Sequence, residues 1–514
     1  MYDCVIGIDA GGTMTKAALF DLHGNEKACA RSHNTTFFPH QGWTERDPDA
    51  MWRAAAQAIS DVLAQSGTDP ARVLAVSVSG YGSGLYLVDR AGNPVRPGIV
   101  STDGRAAGVV SEWTSDGRAA AIAPLIHQSV WPGQSLALLG WLKRHEPQTL
   151  ERTHRVLFCK DFLRGRLCND LSTDFSDAGT AGLINVVTGK YADDALRILG
   201  MEAWLSKMPE IGRSDEIVGT LSAAAARQTG LKQGTPVVRG TVDMAAAAMA
   251  SRVRSPQQMS VVAGTFSIAS TLHCDAPKMD TLPMLQFAYP CGGWLAVQGS
   301  ATSASNLEWV VKTLLQHGGT LEGAGDIYET VNAAVRRARG TATDAMFFPY
   351  LFGGPAGAPA GLVGMNAGTG FDQIMLAVFE GIVFAHKADI DQALSGADAA
   401  RPGVLRLTGG ASRSAVWSEM FADILGLPVE VPVGSEFGAL GTAICAATGV
   451  GAYPTLDAAI TGMTSIARRH EADNRRGAPS LAKYPCYRAL SEAMAGAMLA
   501  APPAFVRTKE RADA

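Results

Sequence analysis

The chain has 514 residues, 47% of them apolar, and a formal net charge of −4. That length exceeds what one compact core absorbs, so two or more domains are expected, and the mild negative charge argues against nucleic acid or an anionic membrane surface as the main partner. The eight cysteines are scattered, with no Cys-x-x-Cys pair and no zinc-ligand spacing, which reads as a reduced, cytoplasmic protein. No basic segment with an apolar run opens the chain, so no secretory signal is expected. In chain order, strands are predicted near 4–9, 14–20 and 25–31. A helix follows near 48–66, introduced by Asp47-Pro48 and ended by Ser66-Gly67, and then a strand at 73–79. The stretch from Phe437 to Tyr453 is apolar but too short and glycine-rich to span a bilayer.

Three antiparallel strands, a helix and a strand are the opening of an actin-like or hexokinase-like domain. The second half repeats the pattern more loosely, with strands near 259–263, 267–272 and 294–298, a long helix from about Ser303, and a strand at 404–407. The fold expected is α/β, two actin-like (hexokinase/ribonuclease H-like) domains with a catalytic cleft between them. The boundary is placed at 253/254, where Ser251-Arg252-Val253-Arg254-Ser255-Pro256 interrupts the pattern, giving domains 1–253 and 254–514.

Two glycine turns recur at matching places in the two halves, Asp9-Ala10-Gly11-Gly12-Thr13 and Ala263-Gly264-Thr265-Phe266. Each joins two β-branched strands, so backbone N–H groups and a hydroxyl could meet an anion at the bend; one such turn alone is more simply a plain hairpin, and the second copy favours the phosphate reading. Asp9 at a strand end could hold a phosphate-bound Mg²⁺ through water, since Mg²⁺ takes one or two carboxylates and keeps several waters. Lys16 is a cation just beyond the turn. No Walker A loop and no Gly-x-Gly-x-x-Gly dinucleotide motif is present.

The strand-to-helix turn Thr408-Gly409-Gly410-Ala411-Ser412-Arg413-Ser414 lets a nucleoside lie on bare backbone, or is any turn of its kind. At Gly240-Thr241-Val242-Asp243-Met244-Ala245, Asp243 follows a strand and opens an alanine-rich helix. It reads as a general base facing a hydroxyl, as a plain N-cap, or as both. His127 and His386 have no partner at motif spacing and read as structural.

These segments, with Gly42-Trp43-Thr44-Glu45-Arg46-Asp47-Pro48, Thr102-Asp103-Gly104-Arg105, Lys160-Asp161-Phe162-Leu163, Thr173-Asp174 and Ala360-Gly361-Leu362-Val363-Gly364-Met365 followed by Gln373-Ile374 and Ala377-Val378-Phe379-Glu380, resemble the FGGY family of carbohydrate kinases over nearly the whole chain. The resemblance implies transfer of the γ-phosphoryl group of ATP to a sugar or polyol hydroxyl, with Mg²⁺ as the metal and a homodimer as the family expectation. By position it makes Asp243 the base and sets Asp9, with Asp243, near Mg²⁺. Gly11, Gly12, Thr13, Lys16, Gly264 and Thr265 fall in the phosphate segments, and Gly409, Gly410 and Ser414 in the adenosine segment. Gly82, Ser83, Asp103 and Arg105 fall on the acceptor side together with Asp243.

Gly82-Ser83 stands where D-xylulose kinases carry Met-His, and Gly353-Gly354-Pro355-Ala356-Gly357 stands where many relatives carry Gly-Glu-Arg-Thr-Pro. Ser303-Ala304-Ser305-Asn306-Leu307-Glu308-Trp309 resembles the L-xylulose kinase branch, and Val242-Asp243-Met244-Ala245 also resembles erythritol kinases. A pentulose is the first expectation and a tetritol the rival. The reading from another class is a non-catalytic ATP- or sugar-binding actin-like protein, which would need neither Asp243 nor the Thr102–Arg105 loop.

Overall fold

The computed structural model describes residues 3–264, 266–275, 285–316, 326–341, 343–394 and 402–500. Thr265 and the tail from Pro502 lie outside them. The chain forms two compact units, Met1–Ser255 with Leu272–Ala296 and Val433–Ser465, and Pro256–Thr271 with Val297–Pro432 and Ile466–Ala514.

The first unit is built on β1 (Cys4–Ala10), β2 (Met14–Asp21), β3 (Glu26–His33), β4 (Val73–Gly80), β5 (Ile217–Thr220) and β6 (Pro236–Val238), in the sheet order β5-β6-β4-β1-β2-β3. β1 and β2 pair antiparallel with Asp9 opposite Lys16, and β1 and β4 pair parallel with Asp9 opposite Ser79. Buried on both faces, β1 reads as a nearly continuous apolar run. The helix Pro48–Ser66 covers one face with Met51, Trp52, Ala55, Ile59 and Val62. Its start is fixed by Asp47, which accepts the Asp49 N–H at 2.9 Å, and its end by Gly67 in the left-handed region.

The other face of β1 is covered by the helix Phe437–Gly449, which the sequence alone places in the second domain. A Cβ added at Gly7 would overlap the Ala439 carbonyl, and one at Gly441 would overlap the Ala246 carbonyl on the helix Asp243–Ala250. The glycine and alanine content that gave this segment its membrane-like look is what lets three backbones meet.

The second unit repeats the core motif. Here β7 (Gln258–Ala263) pairs antiparallel with β8 (Ser267–His273) and parallel with β10 (Val404–Gly409); β9 (Trp294–Ser300), β11 (Val429–Pro432) and β12 (Ile466–His470) give the run β9-β8-β7-β10-β11-β12. The core of this unit lies under the helix Phe371–Ala393, with Phe379, Ile382, Val383, Trp417 and Phe421 fully or almost fully buried. The long helix expected from about Ser303 is instead a short helix Ser305–Trp309 running into a wider-wound turn Val310–Gln316. The β-branched pair Val310-Val311 at that join has low helix propensity.

Candidate active site

The β1–β2 turn is held from three sides. Gly11 N–H donates to the Met14 carbonyl at 3.0 Å and so is spent closing the bend, whereas Gly12 and Thr13 stand exposed at its tip. Asn34, not singled out in the sequence, staples the turn: its Nδ2 donates to Gly11 O at 2.9 Å, its N–H donates to Thr13 O at 2.9 Å, and its Oδ1 accepts the Thr15 hydroxyl at 2.9 Å. Arg46 donates to Gly12 O. Among the described residues nothing requires glycine at position 12, because an added Cβ there would meet nothing within 4 Å. Bare backbone here allows a close approach to the turn.

Lys16 is not a free cation. Its Nζ lies 2.8 Å from Glu436 Oε2, and Arg31 engages the other oxygen of the same carboxylate. Burial alone would raise the Glu436 carboxyl, but these two cations hold it below the usual carboxylate range. Glu436 sits 405 positions from Arg31 in the chain, so no local pattern could reveal it.

Asp9, next to the end of β1, is half-buried, with Oδ1 accepting from Ser79 Oγ at 3.2 Å; Ser79 Oγ lies 3.0 Å from Thr442 Oγ1, which donates to Gly438 O at 2.6 Å. Its carboxylate lies against Gly438, where an added Cβ would come within 2.5 Å of Asp9 Cγ. Asp243 opens the helix Asp243–Ala250 from the neighbouring edge, where Val242 forms a parallel bridge with Gly80 at the end of β4. The expectation that Asp243 caps this helix is corrected: the bridge keeps Val242 extended, at φ −63° and ψ 148°, so Val242 is the cap position and Asp243 the first helical residue.

Burial, with the charge of Asp9 second, pushes the Asp243 carboxyl up to about 7, against the Met244 N–H that donates to its Oδ1 at 2.7 Å. Burial likewise raises Asp9, although Lys16 and Ser79 pull it down. Two mutually repelling carboxylates of this kind suit a water-clad divalent cation, which would relieve both. Among the described residues no group of three or more His, Cys, Asp or Glu side chains could hold a metal directly.

On the acceptor side, Asp103 and Arg105 form a closed pair. Arg105 Nε and Nη2 donate to the two oxygens of Asp103 at 2.8 and 2.9 Å, and Nη2 also lies 2.8 Å from Glu45 Oε1. The guanidinium is stacked over Trp43, 4.1 Å from the ring centre, with Trp141 at 5.1 Å. Both side chains are fully buried, so they brace the loop, and Arg105 Nη1 is the atom of the pair left without a partner among the described residues.

Gly82 packs against Thr180 and Val242, where a Cβ would lie 2.7 Å from Thr180 Oγ1. Ser83 is buried in a left-handed conformation, φ 66°, and donates its hydroxyl to Thr180 O at 2.8 Å. A direct Ser83 side-chain contact with an acceptor is therefore corrected to a structural bond.

In the second unit, Gly264 N–H donates to Phe266 O at 3.3 Å, closing its turn as Gly11 closes the first. Gly409 has φ 84°, and a Cβ there would lie 2.5 Å from Ala263 O, so the fold itself demands this glycine. Gly410 opens a 3₁₀ turn to Arg413. Ser414 caps the helix Ala415–Leu425, accepting the Trp417 N–H at 3.2 Å and donating to Asn332 Oδ1 at 2.7 Å, which commits its hydroxyl to structure.

His386, read from the sequence as structural, proves to anchor the start of β8. Its Nδ1 lies 2.8 Å from Ser267 Oγ and its Nε2 lies 2.9 Å from Ser303 Oγ. Ser267 gives its single proton to Asp389 Oδ2 at 2.8 Å, so Nδ1 must carry the proton it shares and Nε2 must accept from Ser303. That tautomer is neutral, and burial pushes the imidazole down to about 3. His386→Leu is expected to cost about 2 kcal/mol, the price of stranding the Ser303 hydroxyl in the interior. Urea unfolding of the variant against wild type reads this, and an unchanged midpoint would refute it.

Residues 4–250 match the N-terminal domain, and 259–450 the C-terminal domain, of the FGGY family of carbohydrate kinases. A probable L-xylulose kinase of Pasteurella multocida is 32% identical over 451 residues, covering 87% of this chain and 90% of that protein. The L-xylulose/3-keto-L-gulonate kinase of Escherichia coli is 31% identical, covering 87% and 88%, and the erythritol kinase of Brucella abortus is 30% identical, covering 88% and 89%. Among solved structures, ligand-bound xylulose kinase from Lactobacillus acidophilus aligns with a TM-score of 0.85 at 20% identity, covering 96% of this chain and 98% of that one. Xylulose kinase from Rhodospirillum rubrum aligns with a TM-score of 0.82 at 24% identity, covering 96% and 99%. At such identities these two structures speak for the fold. Among the described residues no helix is long and apolar enough to cross a membrane. The chain belongs to the FGGY family of carbohydrate kinases, enzymes that use ATP to phosphorylate an alcohol group of a small sugar.

Proposed function

We propose that this kinase phosphorylates a pentulose, xylulose foremost, with Asp243 taking the proton from the attacking hydroxyl. The observation that carries the assignment is the Asp243 carboxyl itself. It is half-buried at a helix start, committed to no side chain and pushed up to about 7 by burial and Asp9. A base serves best when its pKa lies near the working pH. Asp103 and Arg105 are proposed to shape the acceptor loop, with the unpartnered Arg105 Nη1 as its remaining donor.

In the first unit, Gly12 and Thr13 are proposed to present backbone N–H groups to phosphate oxygens, with Gly11 setting the turn and Lys16 supplying charge. In the second unit, Gly264 would set the turn as Gly11 does, with Thr265 toward the phosphates, and Gly409 and Gly410, set by Ser414, would accommodate adenosine. Asp9 and Asp243 would hold Mg²⁺ through water. Such an ion neutralises charge on the transferring phosphoryl group, while the protein's part is to align the hydroxyl and hold fixed N–H dipoles where charge develops.

The experiment is ADP release from ATP and Mg²⁺ over D- and L-xylulose, D- and L-ribulose, erythritol, glycerol and gluconate. Preference for a pentulose supports the proposal. Preference for erythritol moves the substrate to a tetritol, and ATP binding without stimulation by any acceptor favours a binding protein. The sign of the pH dependence also follows. The carboxylate is the active form and its fraction falls about tenfold per pH unit below the pKa, so kcat/KM for the acceptor is expected to drop on the acid side of about 7. A profile flat down to pH 5 would remove Asp243 from the role of base.

A further inference from the structure

We infer that Ser176 is a positioning residue for Asp243, held in place by a buried Lys160–Asp174 ion pair. This rests on the reading of Asp243 as the base.

The first unit buries Lys160, Asp161, Arg164, Asp174 and Asp177 without any solvent exposure. Such clusters are poor sources of stability, since apolar replacements often do as well, so what this one holds in place is the question. Lys160 Nζ lies 2.5 Å from Asp161 Oδ1, 3.0 Å from Asp174 Oδ1 and 3.5 Å from Asp177 Oδ2. Arg164 Nη1 donates to Asp161 Oδ1 at 2.9 Å and to Arg239 O at 3.0 Å. Burial pushes the Asp177 carboxyl well above the ordinary range, and Arg164 reaches a further carboxylate, its Nε 2.9 Å from Asp170 Oδ2.

Asp174 faces Lys160 with one oxygen and spends the other on three donors: Ser176 Oγ at 2.5 Å, Ser176 N–H at 3.0 Å and Ser214 Oγ at 2.8 Å. A carboxylate cannot donate, so the single Ser176 hydroxyl proton is committed to Asp174. Ser176 Oγ must therefore accept from its two other partners, the Thr241 hydroxyl at 2.8 Å and the Val242 N–H at 3.0 Å. The result is a chain that converges on Asp174: the Val242 N–H donates to the Ser176 hydroxyl, which donates to the carboxylate that Lys160 holds from its other side, and the amide bond strengthens the hydroxyl bond beyond it.

It ends on the Thr241–Val242 peptide, one residue before Asp243. Gly240, at φ 80° with no room for a Cβ beside Val78 O, fixes the other approach to the same segment. The Asp243 carboxylate itself is anchored by the Met244 N–H, so its aim is set by this backbone.

The test compares Ser176→Ala with Ser214→Ala, because both remove a donor to the same Asp174 oxygen and Ser176 alone also holds the Val242 N–H. Asp243→Asn is run in parallel. We expect Ser176→Ala to lower kcat by about ten- to a hundredfold, the scale of a small misplacement of a reacting group, with KM for ATP unchanged. Ser214→Ala should match its loss of thermal stability with kcat intact. Equal effects of both variants on kcat, no effect of either, or a parallel rise in KM for ATP would overturn the inference. If Ser176→Ala does not fold, Thr241→Val removes one donor to Ser176, and a wild-type kcat there overturns it equally. Turnover surviving in Asp243→Asn would instead bring down the reading of the base, whereas its loss beside an active Ser176→Ala refutes the positioning role alone.

Discussion

Asp243→Asn is expected to lower kcat by about 10²–10⁴-fold, the usual contribution of a positioned base, while KM for ATP stays near wild type. The substitution keeps the shape and the Oδ1 that accepts the Met244 N–H at 2.7 Å, so the helix start is preserved and only the proton acceptor is lost. The same variant should melt higher than wild type at pH 8. A carboxyl at about 7 in the folded protein and near 4 in the unfolded chain binds more protons when folded across that window. Its contribution is neutral below the unfolded value and becomes unfavourable as pH rises towards and past 7. The amide carries no such cost, so the gain in Tm should vanish by pH 4. Steady-state kinetics with a melting series at both pH values separates the effects. A variant with full turnover, or one that melts lower at pH 8, contradicts this account.

The sequence made the two glycine turns, the capped helix Pro48–Ser66 and the family legible because each is written in neighbouring residues. Strand alternation, an Asp-Pro start and a Gly stop are local signals, and the strands and that helix lie within a few residues of their expected places. What stayed hidden depends on residues far apart. Glu436 meets Lys16 and Arg31 from the far end of the chain. His386 carried no motif because its partners Ser267 and Ser303 come from other elements.

Candidate residues chosen by position also divide by what their side chains do. Gly12 is exposed and free of packing demands, whereas Gly409 is demanded by the fold and Ser83 and Ser414 spend their hydroxyls on carbonyl, amide and side-chain partners. A motif marks where a loop belongs in a family, and only geometry separates the atoms that face a ligand from those that hold the loop. The Lys160 to Val242 chain illustrates the second kind, since Lys160-Asp161 and Thr173-Asp174 were visible as segments but not as one network.

Gly441→Ala is expected to destabilise the protein by about 3 kcal/mol and to lower the kcat of the protein that remains folded. The added methyl would overlap the Ala246 carbonyl, a backbone group in the helix that Asp243 opens, so no side-chain rotation relieves it. Backing the helix Phe437–Gly449 away is blocked as well. Residues two apart on a helix lie about 200° round its axis, and Ala439, on that opposite side, already touches Gly7 of β1 too closely for any Cβ on the glycine. Either helix must therefore shift, and each carries part of the site: Gly438 lies against the Asp9 carboxylate, and Ala246 is one turn beyond Asp243. Gly108→Ala is the control, on the helix Ala107–Ser115, where an added Cβ meets nothing within 4 Å of the described residues and the same methyl should leave kcat unchanged and Tm the same or slightly higher. Denaturant unfolding with kcat measured well below the melting transition reads both effects. Wild-type stability in Gly441→Ala would mean that the two helices are not clamped, and lost stability with full kcat would mean that the clamp does not aim Asp243.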